Sequence, residues 1–127
     1  PNIFKVALGQ AEFVKVYGHD YPTPDGTACR DYIHVMDLAE VHRIAVCSDV
    51  VGSFNIGTGQ VTSVQEVIDI CRRISGQQIP LKYAPRRAGD PAYLCASPEY
   101  IKRSLKWQAT RNLEDCVRDA WEWHKNR

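Results

Sequence analysis

No run of apolar residues in this chain of 127 comes near the stretch of about 20 that a membrane-crossing helix needs. The opening Pro1-Asn2-Ile3-Phe4-Lys5 has no secretory-leader layout. A soluble, cytoplasmic protein with no membrane partner is expected. Excess charge is missing too: sixteen Lys plus Arg face fifteen Asp plus Glu, a net of +1. A near-neutral chain has no broad field with which to hold nucleic acid, so any anion must be met by a few aimed side chains. The five cysteines, Cys29, Cys47, Cys71, Cys95 and Cys116, are odd in number and spaced by eighteen residues or more. That pattern suits neither a zinc knuckle nor a disulfide scaffold and predicts reduced, mostly packed thiols. The chain begins at Pro1 without Met, which fits either removal of an initiator Met or a piece of something longer.

The signatures of several catalytic classes are also lacking. There is no His-Glu-x-x-His and no Gly-x-Ser-x-Gly, and Cys29 has no readable base beside it. His34, Asp37 and His42 invite a metal or proton-relay reading, but the histidines stand eight residues apart in no known ligand pattern. Structural histidines are expected, with His42 on the inner face of a helix. Gly57-Thr58-Gly59 resembles the start of a dinucleotide-binding loop, yet Thr62 stands where the third glycine belongs, and a plain strand-to-helix turn is the better reading.

What is present alternates strands with helices, an α/β pattern in one small domain. Residues 3–9 read as the end of a helix closed by Gly9, and Phe13 to Tyr17 as a short strand. Residues 18–27, with two prolines and two glycines, form a loop by turn chemistry. Asp31 to His34 reads as extended, and helical spacing begins near Val35. Residues 53–59 read as a strand broken by Gly57. Ser63-Val64-Gln65-Glu66 is a capping box opening a helix that Gly76 stops. Ile79 to Tyr83 reads as a strand, and residues 84–93 as a second long loop. Ser97-Pro98 is expected to cap a short helix reaching Leu105, and Asn112 a last amphipathic helix through His124.

Arg30 ends the first loop, while Arg86, Arg87 and Asp90 lie in the second. Ligand contacts concentrate on such loops. If the two converge, guanidinium forks would suit a diphosphate, Asp90 would accept from sugar hydroxyls, and Tyr17 would lie against a base. The competing reading is an ordinary solvated ion pair.

"VYGHDYPTPDGTACRDYIHVMDLAEVH", "FNIGTG", "APRRAGDPA", "LKW" and "AWEWHKN", in this order and spacing, resemble the C-terminal third of the UDP-glucose 4-epimerases of the extended short-chain dehydrogenase/reductase family. The similarity spans essentially the whole chain. It implies that residues 1–127 are the C-terminal UDP-sugar-binding region of a Rossmann-type α/β enzyme, with few short strands and about four helices. The N-terminal NAD-binding part would be absent. By that resemblance Arg30 and Arg87 hold the UDP diphosphate, Asp90 bonds the uridine ribose, and the backbone and ring around Tyr17, where most members carry Phe, flank the uracil. An aromatic residue that reaches the sugar in some members falls on Leu94 without gaps, so no such role passes to Tyr93. The family interconverts UDP-galactose and UDP-glucose through bound NAD, using a Gly-x-x-Gly-x-x-Gly loop and a Tyr-x-x-x-Lys pair. Neither occurs here, since Tyr17, Tyr21, Tyr32, Tyr83, Tyr93 and Tyr100 all lack a lysine four positions on. The expectation is a substrate grip with no catalytic residue, no NAD bound by the chain alone and no activity alone, and with a homo-oligomer as an open possibility. Two alternatives stand: a non-catalytic UDP-sugar-binding or oligomerising module, and a 4-epimerase for another UDP-sugar.

Overall fold

A computed structural model describes residues 2–127. In chain order the elements are α1 (Asn2–Ala7), β1 (Val14–Tyr17), β2 (Cys29–Arg30), α2 (Val35–Val46), β3 (Thr62–Ser63), α3 (Val64–Ser75), β4 (Leu81–Ala84), β5 (Tyr93–Leu94), α4 (Glu99–Leu105) and α5 (Leu113–Lys125). The mixed α/β class and the few short strands match expectation, with five helices against about four.

Helix boundaries follow local chemistry. Gly9, at φ +71°, ends the first helical segment, and Gly76, at φ +67°, stops α3. The Ser63 hydroxyl accepts from the Glu66 amide while the Glu66 carboxylate accepts from the Ser63 amide, the complete reciprocal cap. Asn112 and Asp115 repeat the device on α5. The cap expected at Ser97-Pro98 is shifted: Pro98 itself precedes α4, and no side chain bonds the first turn.

The strands make two small sheets. β1 and β4 pair in parallel, Val14 opposite Leu81 through Tyr17 opposite Ala84. β2 lies between β3, antiparallel, and β5, parallel, so that Arg30 faces Thr62 on one side and Leu94 on the other. The expected strand at residues 53–59 joins no ladder; the run has no strand beside it among the described residues.

Two apolar clusters carry the fold. In the larger, Phe4 and Val6 of α1 and Val14 and Val16 of β1 meet Val67, Ile68 and Cys71 of α3, Val117 and Trp121 of α5, and Ile79. Full burial of a side chain such as Ile68 contributes roughly 1.5–3 kcal/mol. In the smaller, Val41 of α2, Ile101 of α4 and Trp107 are buried, with Phe54 and Ile56 packed against them. The site lies at the ends of β1, β2, β4 and β5, where the two long loops leave the sheets.

Candidate functional site

The first loop is shaped by glycines and one carboxylate. Gly18 takes φ +82°, and a Cβ there would lie 2.4 Å from the Tyr21 ring; at Gly26 it would lie 2.2 Å from the His19 carbonyl oxygen. The Asp25 carboxylate accepts from the Thr27 amide at 2.8 Å, from the Thr27 hydroxyl at 2.7 Å and from the Ser63 hydroxyl. Burial alone would raise its pKa, but these bonds outweigh burial and hold it below the ordinary carboxylate value. The loop is thereby tied to the start of α3 and delivers Arg30 in a fixed direction.

The second loop is stitched to the first. Gly18 N–H donates to the Ala84 carbonyl at 2.8 Å, and Cys29 N–H to the Ala92 carbonyl at 2.8 Å. Arg86 donates to the Asp20 carboxylate at 2.7 Å and to the Asp20 carbonyl, and its guanidinium lies 4.2 Å above the Tyr21 ring. The Tyr93 hydroxyl donates to the Pro22 carbonyl at 3.3 Å.

These contacts bring the four candidate residues together. Arg30 donates from one terminal nitrogen to the Cys29 carbonyl at 2.8 Å and the Pro91 carbonyl at 2.9 Å. Its other terminal nitrogen stands 3.9 Å from the Asp90 carboxylate. Asp90 N–H donates to the Arg87 carbonyl at 3.2 Å, and the Arg87 guanidinium lies 3.7 Å above the Tyr17 ring. Arg30, Asp90, Arg87 and Tyr17 therefore form one connected run across both loops. The Arg30–Asp90 pair is long and partly exposed, so it contributes little stability. Arg30 retains donors on Nε and its other terminal nitrogen, and the two carbonyls hold the guanidinium without neutralising it.

The other sequence candidates are structural. Asp31 accepts from the Thr58 amide at 3.0 Å, the Thr58 hydroxyl at 2.6 Å and the Gly59 amide at 2.9 Å. Burial opposes ionisation of Asp31, yet these donors hold its pKa below the ordinary value. The Thr58 and Gly59 amides are engaged by Asp31, so the turn does not fit a dinucleotide pyrophosphate. Gly57 is needed for close approach, since a Cβ would lie 2.4 Å from that of Ala96.

His34 is buried, and its Nδ1 accepts the Met36 amide at 3.0 Å to cap α2, leaving Nε2 to face the Asp119 carboxylate at 3.1 Å. Asp37, only 1% exposed, accepts from the amides of Thr110 and Arg111 at 3.1 and 3.0 Å and pairs with the Arg111 guanidinium. His42, expected on the inner face, is exposed because Val41 takes the inward position. Among the described residues no group of three His, Cys, Asp or Glu is placed to hold a metal. All five cysteines are free; burial pushes Cys71 up to about 11, while Cys47 and Cys95 are exposed.

Sequence reasoning missed the stitching residues. Tyr21 is buried, and its hydroxyl stands 3.5 Å from the Asp90 carbonyl; Asp20 fixes Arg86, which pattern alone grouped with Arg87. An aromatic residue between Asp and Pro inside a glycine-rich loop was the available signal.

The family model described as GDP-mannose 4,6 dehydratase matches residues 2–120. A UDP-glucose 4-epimerase from Halalkalibacterium halodurans is 50% identical over 98% of this chain and 39% of its own length. The crystal structure of the epimerase from Stenotrophomonas maltophila, with bound NAD and formylated UDP-arabinopyranose, superposes with a TM-score of 0.93 at 41% identity, over 98% of this chain and 38% of that one. The enzyme from Bifidobacterium longum, in complex with NAD+ and UDP, gives 0.92 at 38% identity over the same shares. The chain spans under two-fifths of the length of these relatives. No helix among the described residues is long and apolar enough to cross a membrane. The chain belongs to the GDP-mannose 4,6 dehydratase family of extended short-chain dehydrogenase/reductases, and it matches the C-terminal part of UDP-glucose 4-epimerases.

Proposed function

We propose that residues 1–127 are the UDP-sugar-binding region of a cytoplasmic UDP-glucose 4-epimerase, with Arg30 and Arg87 on the diphosphate, Asp90 on the uridine ribose and Tyr17 beside the uracil. One observation carries the reading: two loops some sixty residues apart in sequence meet so that Arg30 lies beside Asp90 and bonds the carbonyl of Pro91. Relatives of the same shape hold NAD with UDP or a UDP-sugar, which supports the ligand class.

The chemistry divides accordingly. Forked guanidinium groups match phosphate oxygens in pairs, and the carbonyls on Arg30 orient its remaining donors before a ligand arrives. Asp90, a carboxylate, accepts from hydroxyl groups. A grip of this kind binds UDP-galactose and UDP-glucose nearly alike, so it supplies affinity without lowering the reaction barrier. NAD serves the full-length enzymes as hydride acceptor and donor. In this chain the Thr58 and Gly59 amides are taken by Asp31, and no tyrosine has a lysine four residues on. By itself the chain neither binds NAD nor epimerises.

Calorimetry on the chain with UDP and with uridine tests the grip. Arg30→Ala should weaken UDP by roughly 1–3 kcal/mol, the range for lost charge-assisted bonds, and leave uridine unchanged. Equal losses for both ligands would make Arg30 purely structural. Incubation with NAD and UDP-galactose should return the sugar unaltered; formation of UDP-glucose would overturn the division of labour.

A further inference from the structure

Arg87 differs from the other arginines of the two loops. Arg30 is anchored to two carbonyls and Arg86 to Asp20. The Arg87 guanidinium has no hydrogen-bonding or charged partner among the described residues; its one contact of note is the Tyr17 ring, 3.7 Å below it. At that distance a guanidinium occupies the space that a stacked base would need, because cation and base are both drawn to the same π face. A uracil lying on that face and Arg87 in its present position exclude each other.

We infer that Arg87 covers the base platform on Tyr17 and is drawn off it by the phosphates, which makes the site selective for uridine nucleotides over uridine. The inference rests on the UDP reading above. Displacing the guanidinium costs the same whether the ligand is uridine or UDP. Only UDP gives the displaced cation a new partner, since the phosphate oxygens lie within reach of a side chain that is otherwise uncommitted. A platform open for only part of the time raises the apparent Kd of any ligand by the inverse of the open fraction. For an exposed cation–π contact the factor is about two- to five-fold. Uridine bears this penalty in full.

The inference predicts opposite signs for one substitution. In NMR titrations of the chain with uridine and with UDP, Arg87→Ala should tighten uridine by about two- to five-fold, by removing the competitor, and weaken UDP by at least about ten-fold, by removing charge-assisted bonds. The gain for uridine should vanish in a Tyr17→Leu background, where there is no ring to uncover. Arg87 is exposed and its side chain makes no hydrogen bond or ion pair among the described residues, so the variant should fold, and superimposable thermal unfolding curves would verify this. If Arg87→Ala weakens UDP but leaves uridine unchanged or weaker, the covering role is wrong and the diphosphate grip stands. If neither Arg30→Ala nor Arg87→Ala alters UDP binding, or if UDP does not bind at millimolar concentration, the grip itself fails and the inference with it.

Discussion

The two apolar clusters divide the molecule unequally. Around α1, α3, α5, β1 and β4, helices cover a parallel strand pair, and Ile68, Ile79 and Val16 are essentially inaccessible. Around α2 and α4, the buried apolar side chains among the described residues are Val41, Ile101 and Trp107, while Val35, Met36, Val46, Val51 and Tyr100 lie exposed. The first region has a closed apolar core; the second has apolar surface on its outside. The difference shows that helical periodicity in the sequence reports which residues seek burial, while the neighbours determine whether burial is achieved.

That contrast can be broken most sharply at its strong end. Trp121→Ala should cost about 4 kcal/mol in chemical unfolding, within the range for buried aromatic truncation. A loss under about 1 kcal/mol would mean that α5 is not part of the core. Asp37→Ala comes next. The buried carboxylate ties α2 to the turn before α5, and its removal should cost roughly 3 kcal/mol by leaving the Thr110 and Arg111 amides unpaired.

The same link predicts a pH effect. Burial raises the Asp37 pKa, but the Arg111 and Thr110 donors outweigh it and bring the value below 3.8 in the folded state. The folded state therefore holds fewer protons than the unfolded one near that value. Stability is fully present above it and falls as the pH drops through the lower folded value. Asp25 and Asp31 act in the same direction. Acid titration of Asp37→Asn should show a shallower loss than the parent, and an identical curve would remove Asp37 from the account.

Smaller effects belong to the weaker region. Among the described residues the buried Trp107 indole N–H has no hydrogen-bond partner, so Trp107→Phe should cost only the packing lost with the larger ring, about 1–2 kcal/mol. Val46→Ser, at a position 87% exposed, should stay within about 0.5 kcal/mol. A large loss there would show that α2 is covered in solution.

Local signals were legible wherever a residue governs its own neighbourhood. The capping box at Ser63, the N-cap at Asn112, the glycine stops and the two proline-rich loops could be read directly, because capping and turn geometry depend on residues at most a few positions apart. Residues 53–59 had the composition of a strand but form no ladder, because pairing requires a neighbouring edge that composition does not reveal. At the site, Arg30, Arg87 and Asp90 were identifiable as aimed charges. Pattern alone does not separate Arg86 from Arg87, and only the resemblance favours Arg87; in the structure Asp20 and Tyr21 hold Arg86, and the Arg87 guanidinium lies over Tyr17.

The pairing of Tyr17 with Ala84 also bears on how the cluster of Tyr17, Arg30, Arg87 and Asp90 comes into being. Its partners are brought together across the breadth of the chain, as are Arg30 with Pro91, Arg86 with Asp20 and Tyr93 with Pro22. Contacts between distant positions form only after large loops have closed, which makes them late events on the folding route. A newly made chain would have its helices before its two long loops meet, and the joining of those loops would mark the last step of refolding.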